Sequence, residues 1–324
     1  MEKILVTGAN GFLATNTIPL LLDKGYEVCG ILRKRSSYIG RSHPNLTLIE
    51  GDFTDPEFIY RHLQGCDHVI HIAAMTGQTG KKEEYYRVNA EATIRLAETA
   101  VKAGLKRMIY VCTANAFAYG TSEDPGDESK PTKWPFTESD YAMSKARAQK
   151  ELQRFTDRIE IITVNPTFMI GPMDIKPSSG RIITMGYGRR VMAAPPGGKN
   201  FVHVGDVGKG ICAALKKGRN GEAYLLSGEN MDYYSFYRLL SDVSGKKMTI
   251  IRLPEWLLMT SGRIFSFLYR LGIKSDAVIE NMRLLCIGNY YRNTKAVKEL
   301  GITFRPASEA VKDAVTWFRT HGII

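Results

Sequence analysis

The chain has 324 residues, 44 % of them apolar and 24 % charged, an ordinary globular balance with room for a nucleotide-binding domain and a smaller one. Its net charge of +11 is spread along the chain, with no polybasic tail and no basic stripe interleaved with aromatics, which favours phosphorylated small ligands over nucleic acid. Five scattered cysteines without a CxxC pair argue against a disulfide framework or a zinc site and suit a reduced, cytoplasmic protein.

The N-terminus reads as a strand, Lys3 to Thr7, rather than as a signal peptide, and no uncharged apolar run of spanning length is found. A helix carrying Ile18, Leu20, Leu21 and Leu22 follows. Strands are expected at Glu27 to Leu32, Leu46 to Glu50, Asp67 to Ala73, Arg107 to Cys112 and Ile159 to Val164. Helices are expected at Lys82 to Ala103 and Ser139 to Phe155. Such alternation implies right-handed parallel βαβ units and a doubly wound parallel sheet. Residues 166–205 are rich in Gly and Pro and break the rhythm. A helix from Gly205 to Lys216 and a strand from Glu222 to Ser227 then return the chain to the first unit. The expected division is therefore a dinucleotide-binding domain of 1–165 with 205–228, and a smaller, mainly helical substrate domain of 166–204 and 229–324. One strand is expected there, near Met248 to Arg252. Trp256 to Leu271 is apolar but holds Arg263 and Arg270, and reads either as a buried amphipathic helix or as one lying on a membrane surface.

The first strand ends in Thr7-Gly8-Ala9-Asn10-Gly11-Phe12-Leu13-Ala14, directly before a helix. A helix N-terminus offers unpaired N–H groups and partial positive charge, so this turn suits a pyrophosphate. Gly8 permits the tight turn, Gly11 the close approach of backbone to phosphate, and Ala14 the packing of helix on strand. The second strand ends not in an acid but in Arg33-Lys34-Arg35. A carboxylate there would repel a 2′-phosphate, whereas a guanidinium pairs with it in a fork, so NADP(H) is the expected cofactor, with Arg33 its main phosphate ligand and NAD(H) the alternative.

Tyr141 and Lys145 stand four apart at the start of a predicted helix and share one face. A free phenol titrates near 10. A cation about 4 Å away is worth roughly 4 kcal/mol at an effective dielectric near 20, enough to bring that phenol into the range where proton transfer works at neutral pH.

Together these residues resemble the extended short-chain dehydrogenase/reductase superfamily, the NAD-dependent epimerase/dehydratase family, with a Rossmann fold. In look the chain is nearest to dihydroflavonol reductases and 3β-hydroxysteroid dehydrogenases. The resemblance runs over nearly the whole chain and also includes Asp52, His71-Ile72-Ala73-Ala74, Asn165-Pro166-Thr167 and Phe201 to Val207. It implies that Tyr141 gives or takes the proton and that Lys145 holds the nicotinamide ribose. It implies that Asp52 reaches the adenine, with a backbone contact from Phe53. Ala73 and Ala74 would line the cofactor, and Pro166, Thr167 and Met169 would lie beside the nicotinamide. The usual hydroxyl pair is replaced by Val111-Cys112-Thr113-Ala114-Asn115, so that role passes to Thr113, with Asn115 as a substitute donor. His71 and His203 are read as structural. The resemblance leaves a homodimer open. Three activities remain: an NADPH-linked carbonyl reductase for a partly apolar small molecule, a nucleotide-sugar epimerase or dehydratase with bound NAD, and a non-catalytic NADP-binding regulator.

Overall fold

The computed structural model describes residues 1–76, 81–270 and 279–324; Leu271, the last residue of the expected apolar helix, lies outside them. The first half alternates as expected. β1 (Lys3–Thr7), α1 (Phe12–Asp23), β2 (Glu27–Leu32), β3 (Leu46–Glu50), α2 (Pro56–Leu63) and β4 (His68–His71) come first. A continuous helical run follows as α3 (Lys82–Tyr85), a π turn (Tyr86–Glu91) and α4 (Ala92–Lys102). Then come β5 (Arg107–Val111), α5 (Asp140–Leu152) and β6 (Glu160–Pro166). Ser139 caps α5 through its side chain, which accepts from the Ala142 amide. The predicted end of that helix at Phe155 is instead a 3-10 turn, Gln153–Phe155.

The rest of the chain contains β7 (Phe168–Ile170), α6 (Arg181–Gly186), β8 (Val191–Ala194), β9 (Gly198–His203), α7 (Val204–Lys217) and β10 (Ala223–Leu226). These are followed by β11 (Glu229–Asp232), α8 (Tyr233–Ser244), β12 (Thr249–Arg252), α9 (Glu255–Arg270), α10 (Ile279–Cys286), β13 (Gly288–Asn289) and α11 (Ala307–Thr320).

Seven strands form one parallel sheet in the order β10-β6-β5-β4-β1-β2-β3. The order reverses between β1 and β4, the switch point where doubly wound sheets open a crevice at their carboxyl ends. One face is covered by α1 and α7, which bury Ile18, Leu21, Val207 and Ile211 against Val6 and Ile109. The other is covered by α2, α4 and α5, which bury Ile59, Leu96, Ala148 and Leu152 against Leu5 and Met108. Coverage of both faces explains why these strands are continuous apolar runs rather than alternating ones.

A third core lies among Ile170, Phe201, Phe236, Leu240, Val311 and Phe318. It contains more strand than the sequence suggested. β7, β9, β11 and β13 form a second sheet, and β12 pairs with β8 in a third. These strands are two to six residues long and sit among Gly and Pro, too short for a period-2 pattern to stand out. α9 also departs from a buried amphipathic helix, since much of its apolar surface is exposed.

Asp206, at the start of α7, is buried beside Arg305, whose amide and Nε donate to it at 2.8 and 2.9 Å. Burial alone would raise the Asp206 carboxyl, but the bonds from Arg305 hold it below its ordinary value. Arg305 also donates to His203 Nδ1 (2.9 Å), and the opposite ring nitrogen meets Asp313 at 3.1 Å. This cluster ties α7 to the C-terminal segment. Arg305→Met strips the buried carboxylate of its guanidinium and should lower the unfolding free energy by about 3 kcal/mol at neutral pH. A urea midpoint unchanged from the parent would contradict this.

Candidate active site

The glycine turn sits between the carboxyl ends of β1 and β4. Gly8 has φ of 71°, and a Cβ there would lie 2.9 Å from the Ala73 Cα. Only glycine combines that conformation with that approach. Gly11 precedes the first turn of α1, and its side chain, a hydrogen, provides no cap, so the Phe12 and Leu13 end of the helix keeps its amides for another acceptor. The Asn10 amide donates to Ser37 Oγ at 2.6 Å, fastening the turn to the loop after β2. Arg33 and Lys34 are exposed on that loop. Across it, Asp52 accepts the Thr54 amide at 2.9 Å and stays exposed. The Phe53 ring tilts against His71, centroids 5.0 Å apart.

His71 is fully buried and works as a strut. Thr93 Oγ1 donates to the Asn89 carbonyl, so it accepts from His71 Nε2 at 2.9 Å. His71 Nδ1 then accepts from Thr7 Oγ1 at 2.7 Å. Burial keeps the ring neutral, well below its ordinary titration range. Thr7 Oγ1 in turn accepts the Ile72 and Ala73 amides, both at 3.2 Å, which fixes the segment containing Ala73 and Ala74 beside Gly8. Asn89 completes that support. Its side chain pairs with both backbone groups of Met75 and donates to Ser144 Oγ at 3.2 Å, joining this segment to α5. A single buried Asn inside a helical run was the only trace of it in the sequence.

Tyr141 and Lys145 lie one turn apart on α5 and both face β5. Lys145 is 1 % exposed, its ammonium has no hydrogen-bond partner among the described residues, and it sits 4.3 Å from the centroid of the Tyr110 ring. Tyr110 Oη and Cys112 Sγ both donate to the Lys145 carbonyl, at 3.2 and 3.5 Å, so the end of β5 grips the turn that carries the lysine. Thr113 is buried where β5 ends, capping a short 3-10 turn through Oγ1, which accepts the Asn115 amide at 3.3 Å. Its carbonyl accepts from Asn165, which also donates to Gln149 of α5. Thr113 and Tyr141 are brought together: burial raises the phenol, and the nearness of Thr113 works in the opposite direction.

The electrostatics differ from the simple cation–phenol picture. Burial is the dominant influence on Tyr141 and raises its phenol well above its ordinary value; Lys145 does not figure among the causes. Burial also lowers Lys145 to about 8. Desolvation of both groups therefore outweighs their mutual effect in the protein alone.

Pro166 ends β6 and Thr167 follows it, but the Thr167 hydroxyl is taken by Asn200 Oδ1 at 2.6 Å. Met169 is half-buried and packs on the core beneath α1. Asn115 faces the C-terminal segment: its Oδ1 accepts from Asn289 at 3.1 Å and from Tyr291 Oη at 3.5 Å. Lys199 lies beside Asn289 in the second sheet, with its ammonium 5.0 Å from the Phe168 ring centroid. Burial lowers it to about 8, and among the described residues no carboxylate pairs with it. A lysine in a Gly/Pro-rich stretch carries no sequence signal of burial, and it was missed.

Because Lys145 titrates lower in the folded chain than its ordinary 10.5, the folded state binds fewer protons between about 8 and 10.5, and its contribution makes stability rise with pH across that window. Lys145→Met should lose that part of the rise. Below pH 8 the variant should be more stable than the parent by about 1–3 kcal/mol, read by thermal or urea unfolding. A less stable variant would show that the ammonium is satisfied in the folded chain.

Comparison with known proteins agrees with this architecture. Residues 4–227 match the model of the NAD dependent epimerase/dehydratase family. A Synechocystis protein that bears a provisional name as a dihydroflavonol 4-reductase is 30 % identical, covering 100 % of this chain and 96 % of its own length. A 3-beta-hydroxysteroid dehydrogenase of Mycolicibacterium neoaurum is 27 % identical over 93 % of this chain and 87 % of its own. The crystal structure of gox2253 superposes with a TM-score of 0.85 at 31 % identity, covering 99 % of both chains. The chain belongs to the NAD-dependent epimerase/dehydratase family and is an oxidoreductase of that family's short-chain dehydrogenase/reductase type.

Proposed function

We propose that this protein is an NADP(H)-dependent reductase of a carbonyl on a small, partly apolar substrate. The observation that carries the reading is the meeting of Tyr141, Thr113 and the buried Lys145, which has no hydrogen-bond partner among the described residues, beside the end of β5. The residues present fit a dinucleotide: the cradle at Gly8 has no room for a Cβ, and the Lys145 ammonium has no hydrogen-bond partner among the described residues. When bound, a reduced nicotinamide supplies the hydride.

The chain supplies the remainder. Gly8, Asn10, Gly11, Phe12 and Leu13 hold the pyrophosphate by backbone amides. Arg33 and Lys34 take the 2′-phosphate. Asp52 and Phe53 flank the adenine. Ala73, Ala74, Pro166, Thr167 and Met169 line the nicotinamide end. Lys145 holds the ribose hydroxyls. Thr113 fixes the carbonyl oxygen, and Tyr141 protonates it as negative charge develops. Residues 1–165 with 205–228 form the cofactor domain; 166–204 and 229–324 form the substrate domain. Buried free thiols suit work in the reducing cytoplasm.

One observation favours a second reading. Lys199, beside Asn289 and Phe168, is a half-buried cation suited to an anionic substrate such as a nucleotide sugar, for which the family's tightly held NAD would be regenerated in each cycle. The intact pair of Tyr141 and Lys145 speaks against a purely regulatory NADP-binding role.

Incubation with NADPH and a panel of aromatic ketones, steroid ketones and nucleotide sugars separates the readings. Net loss of NADPH absorbance with a ketone is the expected result; sugar interconversion without net oxidation would replace it. Tyr141→Phe should lower kcat by about two to four orders of magnitude with little change in NADPH binding. Thr113→Val should lower kcat in the same sense, and full activity in either variant would overturn the assignment. Arg33→Ala should raise the KM for NADPH about tenfold while sparing NADH, since it removes one charge-assisted fork. An unchanged ratio of the two constants would move the phosphate contact elsewhere.

A further inference from the structure

We propose that the outward face of α9 docks the protein on an anionic lipid surface. The helix uses its inward face fully. Leu258 and Gly262 are buried there, and a Cβ on Gly262 would come within 3.0 Å of Ile279 Cα and Met282 Cγ, so α10 packs closely against it. The opposite face is the unusual one. Trp256, Thr260, Ile264 and Phe267 recur at helical spacing and line one side. Trp256 is 67 % exposed, Ile264 55 % and Phe267 62 %. Leu257 and Phe265 add exposed apolar surface at the flanks. A surface helix ordinarily turns charged residues to solvent; this one is apolar on both sides.

The charges around that face say what covers it. Arg263 shares the outward side, and Glu255 is the only acid on the helix. Upstream, β12 and β8 expose Ile251 and Val191, with Arg189 and Arg190 immediately before β8. Arg252 ends β12; it lies over the Tyr234 ring and 3.8 Å from Asp232, so it contributes less. Apolar side chains that include a tryptophan, set beside Arg189, Arg190 and Arg263, for which no salt bridge is found among the described residues, fit the boundary between lipid headgroups and acyl chains. A second copy of this chain fits less well. Two-fold pairing would bring each Arg263 into a shared apolar patch with one Glu255 per chain to offset it. The helix lies on such a surface rather than crossing it: among the described residues no helix is long and apolar enough to span a membrane.

The test is cosedimentation of the full-length protein with vesicles of phosphatidylcholine alone and of phosphatidylcholine containing one quarter phosphatidylserine. The parent should pellet with the anionic vesicles, and its bound fraction should fall about tenfold with neutral vesicles or in high salt. Trp256→Ser/Phe267→Ser should reduce partitioning to anionic vesicles about tenfold or more, with melting temperature and NADPH affinity unchanged. Should that variant fold poorly, Arg263→Glu serves, and should weaken binding about fivefold or more. Three results would overturn the proposal: a parent that stays in the supernatant with both vesicle types, a folded variant that binds as the parent does, or a parent that ignores lipid but sediments as a dimer which the double substitution splits.

Discussion

One ammonium group, buried without a hydrogen-bond partner among the described residues, stands at the centre of the candidate site. Lys145 sits under α5 against the Tyr110 ring, and no described residue accepts a hydrogen bond from it. Burying an unpaired cation is expensive, and the chain meets part of that expense by letting the group titrate near 8. The lysine is nonetheless held firmly, because its own carbonyl receives Tyr110 and Cys112 from the end of β5. Backbone order therefore positions a side chain whose charge is unsatisfied. Such an arrangement gives up stability to keep a buried cation unpaired, the pattern expected where a group is reserved for a ligand.

The surrounding polar groups show the opposite economy, with nearly every one tied to another. His71 spends both ring nitrogens on Thr7 and Thr93, and Asn89 spends its amide on Met75 and Ser144. Asn165 holds the Thr113 carbonyl to Gln149. These contacts bind the ends of β1, β4, β5 and β6 to α4 and α5, so the strand termini that form the crevice cannot shift independently. A histidine in such a place invites a catalytic reading; its neutrality and its two hydroxyl partners make it a brace.

The doubly wound parallel sheet was legible from the chain. Alternating apolar runs and helical stretches place β1 to β6 within a residue or two, and the glycine turn directly after β1 is found where its sequence puts it. The Tyr141 and Lys145 spacing was legible as a shared helix face. Their energetics were not: Coulomb attraction at an assumed distance suggested a lowered phenol, whereas burial raises it, because desolvation depends on every atom that closes around the group.

What the amino-acid order determined by itself is local: which segments extend, which coil, where a turn must be glycine, and which side chains share a face. These follow from steric limits and short periodicities that a chain carries without its fold. Only the tertiary structure decided that Lys199 lies half-buried beside Phe168, that Asn115 is occupied by Asn289 and Tyr291, that Thr167 turns to Asn200, and that α9 leaves Trp256 and Phe267 in the open. Each depends on contacts between segments far apart in the chain, and burial and pairing are properties of those contacts rather than of residue type.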